Sequence, residues 1–158
     1  MRSFLVNVMI IRVQTEDFDI AALHRELLAG RTDVGAIASF IGLVRDLEDD
    51  PLQQMTLEHY PGMTEAALQD IAVRAQQRWE IADLGIIHRV GALAPADQIV
   101  LVSVLSGHRA DAFAACQFIM DYLKTEAPFW KKEVSEQGAK WVEFRDSDEK
   151  ARKKWETR

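Results

Sequence analysis

The sequence predicts an α+β protein whose sheet is mixed and largely antiparallel. Three observations carry this. Strand-like and helix-like patterns interleave in the order β-α-β-β-α-β-β-α-β-β. Several consecutive strands are joined by turns too short for a crossover helix. The 158 residues are 48% hydrophobic and hold no low-complexity run, which suits one buried core and argues against disorder. A single domain over residues 1–158 is expected, ending in a charged, solvated tail over 150–158.

The elements follow in order. Phe4 to Val13 is rich in Val and Ile and reads as a first strand. Its apolar run is interrupted by Asn7 and closed by Arg12, with no small-residue cleavage site, so it is read as a strand rather than a signal peptide. Asp17 or Asp19 caps a helix to about Leu28, with Ile20, Leu23 and Leu27 on one face and Gly30 as its stop. Val34 to Val44 is a second strand, in which Gly35 and Gly42 mark a bulge or a close backbone approach. An acidic loop over 46–53 leads to a strand from Gln54 to Tyr60, ended by Pro61-Gly62. Thr64 opens a helix to Trp79, with Leu68, Ile71, Ala72 and Ala75 at helical spacing. Leu84 to Val90 is a strand, 94–97 a turn, and Gln98 to Ser106 a strongly apolar central strand. His108 to about Ala127 is the longest helix, stopped by Pro128. Phe129 to Val134 and Ala139 to Phe144 form a terminal hairpin.

Composition excludes several function classes. Net charge is −6, and the acidic bulk lacks the basic footprint that general nucleic-acid binding needs. No apolar stretch approaches the ~20 residues of a membrane helix. One cysteine, Cys116, rules out an internal disulfide framework and leaves a cysteine-based zinc site without ligands; four scattered histidines have no ligand spacing. No metal and no organic cofactor are expected, and the cytoplasm is the default compartment. The basic residues segregate: residues 1–123 carry nine Arg and no Lys, and all seven Lys lie in 124–158. A charged tail explains Lys150, Lys153 and Lys154, but Lys124 and Lys131 sit among apolar neighbours.

Ser106-Gly107-His108-Arg109 is the best anion site, because a strand-to-helix junction offers free N–H groups, a positive dipole end and a guanidinium. Equally, His108 caps the helix and Arg109 pairs with an acid. On the helix that follows, Phe113, Cys116, Met120 and Lys124 share a broad stripe. A lysine ending such a stripe is either desolvated and available as acid, base or nucleophile, or a snorkelling side chain with a wet head. Lys131 folds back toward the same helix end or is a plain exposed strand residue. Arg45 is a phosphate clamp or a partner for Asp46 or Glu48, and Arg145 is as ambiguous. His59 and His88 fit packed strand positions, and Cys116 an inert core thiol. There is no dinucleotide fingerprint, P-loop or nucleophile elbow.

Two long segments go further. MTLEHYPGMTE at 55–65 and QFIMDYLKTEAPFWKKE at 117–133 closely resemble the catalytic large subunit of molybdopterin synthase. SFIGLVR at 39–45, IIHRVGAL at 86–93, SGHR at 106–109 and WVEFRDSD at 141–148 follow in the same order, so the resemblance spans about residues 34–155 and leaves the first 30 residues largely outside it. It implies an α/β hammerhead with an added antiparallel subdomain. It also implies transfer of sulfur, carried as a thiocarboxylate on the C-terminal glycine of a small ubiquitin-like partner, to cyclic pyranopterin monophosphate, forming the dithiolene of molybdopterin. The implied assembly is a heterotetramer around a central dimer of this chain.

By the same resemblance, Lys124 stands near the thiocarboxylate as acid or base, and Lys131 is a second active-site lysine. Arg45, His108 and Arg109 bind the substrate's phosphate and pterin, the last two reaching in from the other protomer. Arg145 is a further basic pocket residue. Leu43 occupies a position where relatives commonly have lysine. Phe40, Met120, Phe129 and Trp130 are the expected walls of a channel for the partner's tail. Two other readings share parts of this pattern: a catalytically silent binding module for a ubiquitin-like carrier, and a nucleotide-phosphate binding domain. The presence of Arg45, His108, Arg109, Lys124 and Lys131 together favours the enzyme.

Overall fold

The computed structural model describes residues 7–46, 52–135, 138–142 and 146–156. Among them, eight strands and four helices follow in the order β1 (Ile10–Gln14), α1 (Ile20–Leu28), β2 (Ala36–Leu43), β3 (Leu52–His59), α2 (Met63–Arg78), β4 (Asp83–Arg89), β5 (Gly91–Leu93), β6 (Gln98–Ser106), α3 (Arg109–Glu126), β7 (Phe129–Ser135), β8 (Gly138–Val142) and α4 (Asp146–Lys153). One sheet has the order β1-β4-β6-β2 and the other β5-β3-β7-β8. Only β1 and β4 run parallel; every other pairing is antiparallel. The mixed, largely antiparallel α+β architecture is the one the sequence predicts, with β6 in the interior as expected.

The first sheet is covered on both faces. Leu23 and Leu27 of α1 pack on Ile10, Ile87, Leu101 and Leu105. On the opposite face, Leu68, Ile71, Ala72 and Ala75 of α2 and Ala115, Phe118 and Ile119 of α3 close over Leu84, Ile86, Val100, Val102 and Val104. That two-sided cover explains why β6 reads as a continuous apolar run. The second sheet buries Met55, Leu57 and Leu93 with Val44, and Ile99 packs against both this cluster and the α2/α3 layer.

Capping follows local chemistry. Asp19 Oδ1 accepts from the backbone N–H groups of Ala21 (2.8 Å) and Ala22 (3.4 Å) to open α1. Its left-handed C-cap is Ala29, one residue before the expected glycine stop. Gly35 is where close approach decides the residue: a Cβ there would stand 2.5 Å from the Gly107 carbonyl oxygen. The expected bulge falls between Gly42 and Leu43. The pre-proline residue Ala127 is extended (ψ 128°) and ends α3.

Three expectations are corrected. β1 begins at Ile10 rather than Phe4: residues 4–6 lie outside the described residues, and the N–H groups of Val8 and Met9 go to the Asp83 carboxylate, 2.9 Å each, instead of to a ladder. Strand β5 has no counterpart in the sequence pattern, because three residues carry no readable period. The segment expected as a solvated tail contains the second half of α4 and a buried anchor. Trp155 is 6% exposed, edge-on to Trp79 and Phe118, with its indole N–H donated to Asp121 Oδ2 at 2.7 Å. The guanidinium of Arg78 lies over the Trp79, Phe118 and Trp155 rings.

Candidate active site

The site is organised by the length and direction of α3. Helix α3 starts just after β6 and returns over it, so its first turn lies at the Ser106 end of the sheet and its last turn at the Gln98 end. Leu43 pairs with Gln98, and His88 with Val100, so the ends of β2 and β4 meet the last turn of α3 there. Arg45 follows at once. Its neighbour Val44 is fixed by an N–H donated to the Asp97 carbonyl (2.9 Å) and a carbonyl accepting from Ala96 N–H (2.8 Å).

β7 departs from the same place. Thr64, fully buried at the start of α2, donates its hydroxyl to the Pro128 carbonyl at 3.1 Å and accepts from Tyr60 N–H at 3.1 Å. This holds the α3–β7 junction against α2. Three residues beyond α3, the Phe129 ring stacks on His88 with centroids 3.8 Å apart and planes 17° from parallel. Lys131 faces Leu57 across the β3–β7 ladder, so it lies half-buried on the inner face with Leu57 and Phe129. Lys124 in the last turn of α3 is exposed within a single chain, as is Arg45. The topology therefore places Arg45, Lys124, Lys131 and Phe129 at the same end of the first sheet. Met120, 8% exposed, is one helical turn behind Lys124, and Phe40, 42% exposed, lies on the α3 face of β2.

Two groups of expected residues stand elsewhere. His108 and Arg109 are at the other end of α3, fifteen residues from Lys124, about 22 Å at 1.5 Å per residue. Both are exposed, and His108 makes no side-chain cap, so the capping reading of its ring does not hold. The backbone N–H of His108 donates to Ser106 Oγ at 3.2 Å, and that hydroxyl donates to the Glu80 carbonyl at 2.7 Å. Within one chain these two residues cannot meet Lys124. Trp130 lies on the outer face of the second sheet, opposite to Phe129 and Lys131, because neighbours on a strand alternate. It donates its indole N–H to Glu58 Oε2 at 2.9 Å and packs edge-on to Tyr60, with centroids 4.5 Å apart. Arg145 lies outside the described residues.

Cys116 is on the buried, sheet-facing side of α3, and burial pushes its thiol up to about 11, so it is not a ready thiolate. The sequence reads His88 as a packed strand residue. It is that, 5% exposed, but burial, opposed by its bond to the Arg89 carbonyl and aided by the nearby positive charge of Lys124 and by His59, brings it down to about 4. A neutral imidazole beside the lysine has no sequence signal, since only the fold brings 88 and 124 together.

Comparison with known proteins decides the family. The family model described as MoaE protein matches residues 13–126. The chain belongs to the MoaE family. It is 61% identical over 146 residues to the molybdopterin synthase catalytic subunit of Ralstonia nicotianae, covering 92% of this chain and 83% of that one. It is 50% identical over 147 residues to the molybdopterin synthase catalytic subunit of Vibrio cholerae serotype O1, covering 92% and 97%. Among solved structures, the molybdopterin biosynthesis MoaE protein from Burkholderia ambifaria MC40-6 superposes with a TM-score of 0.82 at 53% identity, covering 94% of this chain and 99% of that one. Membership carries the family's enzyme class with it, the molybdopterin synthase catalytic subunit. The family match reaches back to residue 13, so α1 is part of the MoaE pattern although the motif strings begin only at β2. Among the described residues, no helix is long and apolar enough to cross a membrane.

Proposed function

We propose that Lys124, Lys131 and Arg45 at the end of α3 form one half of a sulfur-transfer site, completed by His108 and Arg109 of a second copy of the chain. The donor is the C-terminal glycine thiocarboxylate of a small ubiquitin-like partner, and the acceptor is cyclic pyranopterin monophosphate. The observation that carries the reading is the separation along α3. Arg109 and Lys124 are about 22 Å apart along α3 in one chain, yet both are exposed and cationic, as an anionic substrate and donor require. A two-fold dimer that sets the Arg109 end of one copy against the Lys124 end of the other makes two complete sites.

The chemistry follows from the charges. The thiocarboxylate sulfur attacks a side-chain carbon of the pterin, a C–S bond forms, and the departing oxygen takes a proton. An ammonium at Lys124 holds the thiocarboxylate anion in place and delivers that proton. Water then cuts the acyl–sulfur bond, leaving sulfur on the pterin and a glycine carboxylate on the partner; a second round supplies the second sulfur. Phe40, Met120 and Phe129 are placed to wall the tail channel. Trp130, on the outer sheet face, would reach it only across the strand. The reading places the reaction in the cytoplasm, with no resident metal or organic cofactor.

The test is reconstitution of this chain with a thiocarboxylated partner and the pterin precursor. Dithiolene product from wild type and none from Lys124→Ala is the expected result. A stable complex with the partner but no product from wild type would instead make the chain a silent carrier-binding module.

A further inference from the structure

The strands that end the two sheets are not alike. β1 is five residues long and carries Arg12, paired with Glu26 at 2.7 Å; β5 has three residues; β8 has five and carries Lys140. β2 has eight residues, none of them charged and none proline, and among the described residues it pairs only with β6. A long, uncharged edge with open backbone N–H and C=O groups is a template for another strand. Its side chains are exposed and apolar on both faces of the sheet, Phe40 (42%) on the α3 face and Ile37 (38%) on the α1 face. Helix α3 extends this surface. Phe118 and Tyr122 turn toward α2 and α4, against Trp79, Trp155 and Arg74. At 100° per residue the opposite flank carries Arg109, Phe113, Met120 and Lys124, all within about 60° of one another. Because α2 packs toward β1 while α3 packs on β6 and β2, that flank overhangs the open edge, and Phe113 is 67% exposed there.

We propose that β2 is the docking edge for a second copy of this chain, whose own β2 adds antiparallel across a two-fold axis near Ser39 and Phe40. The inference rests on the reading of the site as shared between two copies, and gives that sharing a surface. Antiparallel pairing sets the Ala36 end of one β2 against the Leu43 end of the other and joins two four-stranded sheets into one of eight strands. The axis stands perpendicular to the sheet, so both α3 helices lie on one face and run antiparallel. Each packs over β6 and β2, so they are about two strand spacings apart, about 10 Å, the ordinary distance between packed helices. The exposed Phe113 side chains are then covered, and the Arg109 flank of each copy meets the Lys124 flank of the other at both ends. A parallel pairing would set like ends together. A strand of the small carrier in the same place would leave Arg109 with no lysine to meet.

The test uses the full-length chain and needs no turnover. Wild type should sediment as a dimer. Ile37→Glu combined with Phe113→Glu should raise the dimer dissociation constant about a hundredfold or more, with an unchanged circular dichroism spectrum, because both side chains are exposed in the single chain. A second variant does not depend on weakening the interface. Cys116 is buried, so a short bis-maleimide should convert Ser39→Cys, next to the axis, to a covalent dimer and leave Val73→Cys, exposed on α2, uncoupled. A monomeric wild type overturns the proposal, as does a dimer undiminished in the double variant or cross-linking no faster at 39 than at 73. A dimer of this form in which mixed Lys124→Ala and Arg109→Ala chains recover no sulfur transfer overturns the shared-site reading alone, because the sedimentation and cross-linking arms do not depend on it.

Discussion

The two ends of α3 are built differently. At the Lys124 end, four elements converge and the groups are held: His88 is buried and stacked, Thr64 pins Pro128, and Val44 is tied to the 96–97 turn. At the Arg109 end, the two expected substrate-binding side chains project outward, and neither His108 nor Arg109 is buried. One end is preorganised by its own chain, while the other is offered to something else. If His108 and Arg109 bind the substrate's phosphate as proposed, their exposure in the single chain is what a shared site across a dimer requires.

The largest effects should separate the two ends by kinetic signature. Lys124→Ala is expected to lower kcat by about a hundredfold or more, with an unchanged melting temperature because the side chain is exposed. Arg109→Ala should instead raise KM for the precursor about tenfold and blunt its salt dependence. Identical signatures from the two variants would break the distinction. Mixing then tests whether the ends meet between chains. In a heterodimer of Lys124→Ala and Arg109→Ala, one site carries both substitutions and the other carries neither. Assayed at precursor concentrations well below KM, where Arg109→Ala homodimers keep only about a tenth of wild-type activity, random reassembly of the two variants should therefore recover about a quarter of wild-type activity. No recovery, with heterodimers shown to form, would place both groups in one chain's site and contradict the length of α3.

How far the sequence shows this division depends on the range of the interactions. The termini of α3 are legible because Gly107 and Pro128 are local signals, and with them the separation of Arg109 from Lys124. The alternation that parts Trp130 from Phe129 was equally available from the strand pattern, though both were expected to wall one channel. Helix α4 was not legible. Its residues Asp146–Lys153 are almost all polar or charged, and its anchor, Trp155, lies past its end and packs on α2 and α3. His88 was seen only as a strand residue, since its neighbours come from positions 59, 124 and 129.

That unexpected anchor makes the next prediction, because α4 and Trp155 hold acceptors in the second half of α3. Trp155 donates to Asp121, and Arg152 pairs with Glu126 at 3.9 Å, both acceptors in the last turns of α3. Trp155→Ala should destabilise the fold by about 4 kcal/mol, read from denaturant melts. Loss of hydrogen-exchange protection should be concentrated in the second half of α3. Uniform loss along α3 would mean that α4 stabilises the domain as a whole rather than one end of it.

The smallest effect is a pH dependence specific to the buried end. His88 titrates near 6.5 when unfolded and at about 4 when folded, so between those values the unfolded chain binds more protons. Stability then rises with pH across that window, is complete above it, and is lost as pH falls from 6.5 toward 4. The shift corresponds to about 3 kcal/mol. His24, also lowered by burial, adds to the slope in the same direction. The comparison is therefore between wild type and His88→Phe, measured as unfolding free energy at several pH values from 7 to 4. The variant should keep the His24 contribution and lose the rest. Parallel curves would mean that His88 takes up its proton without cost on folding, and the buried end of α3 would then be no drier than the open one.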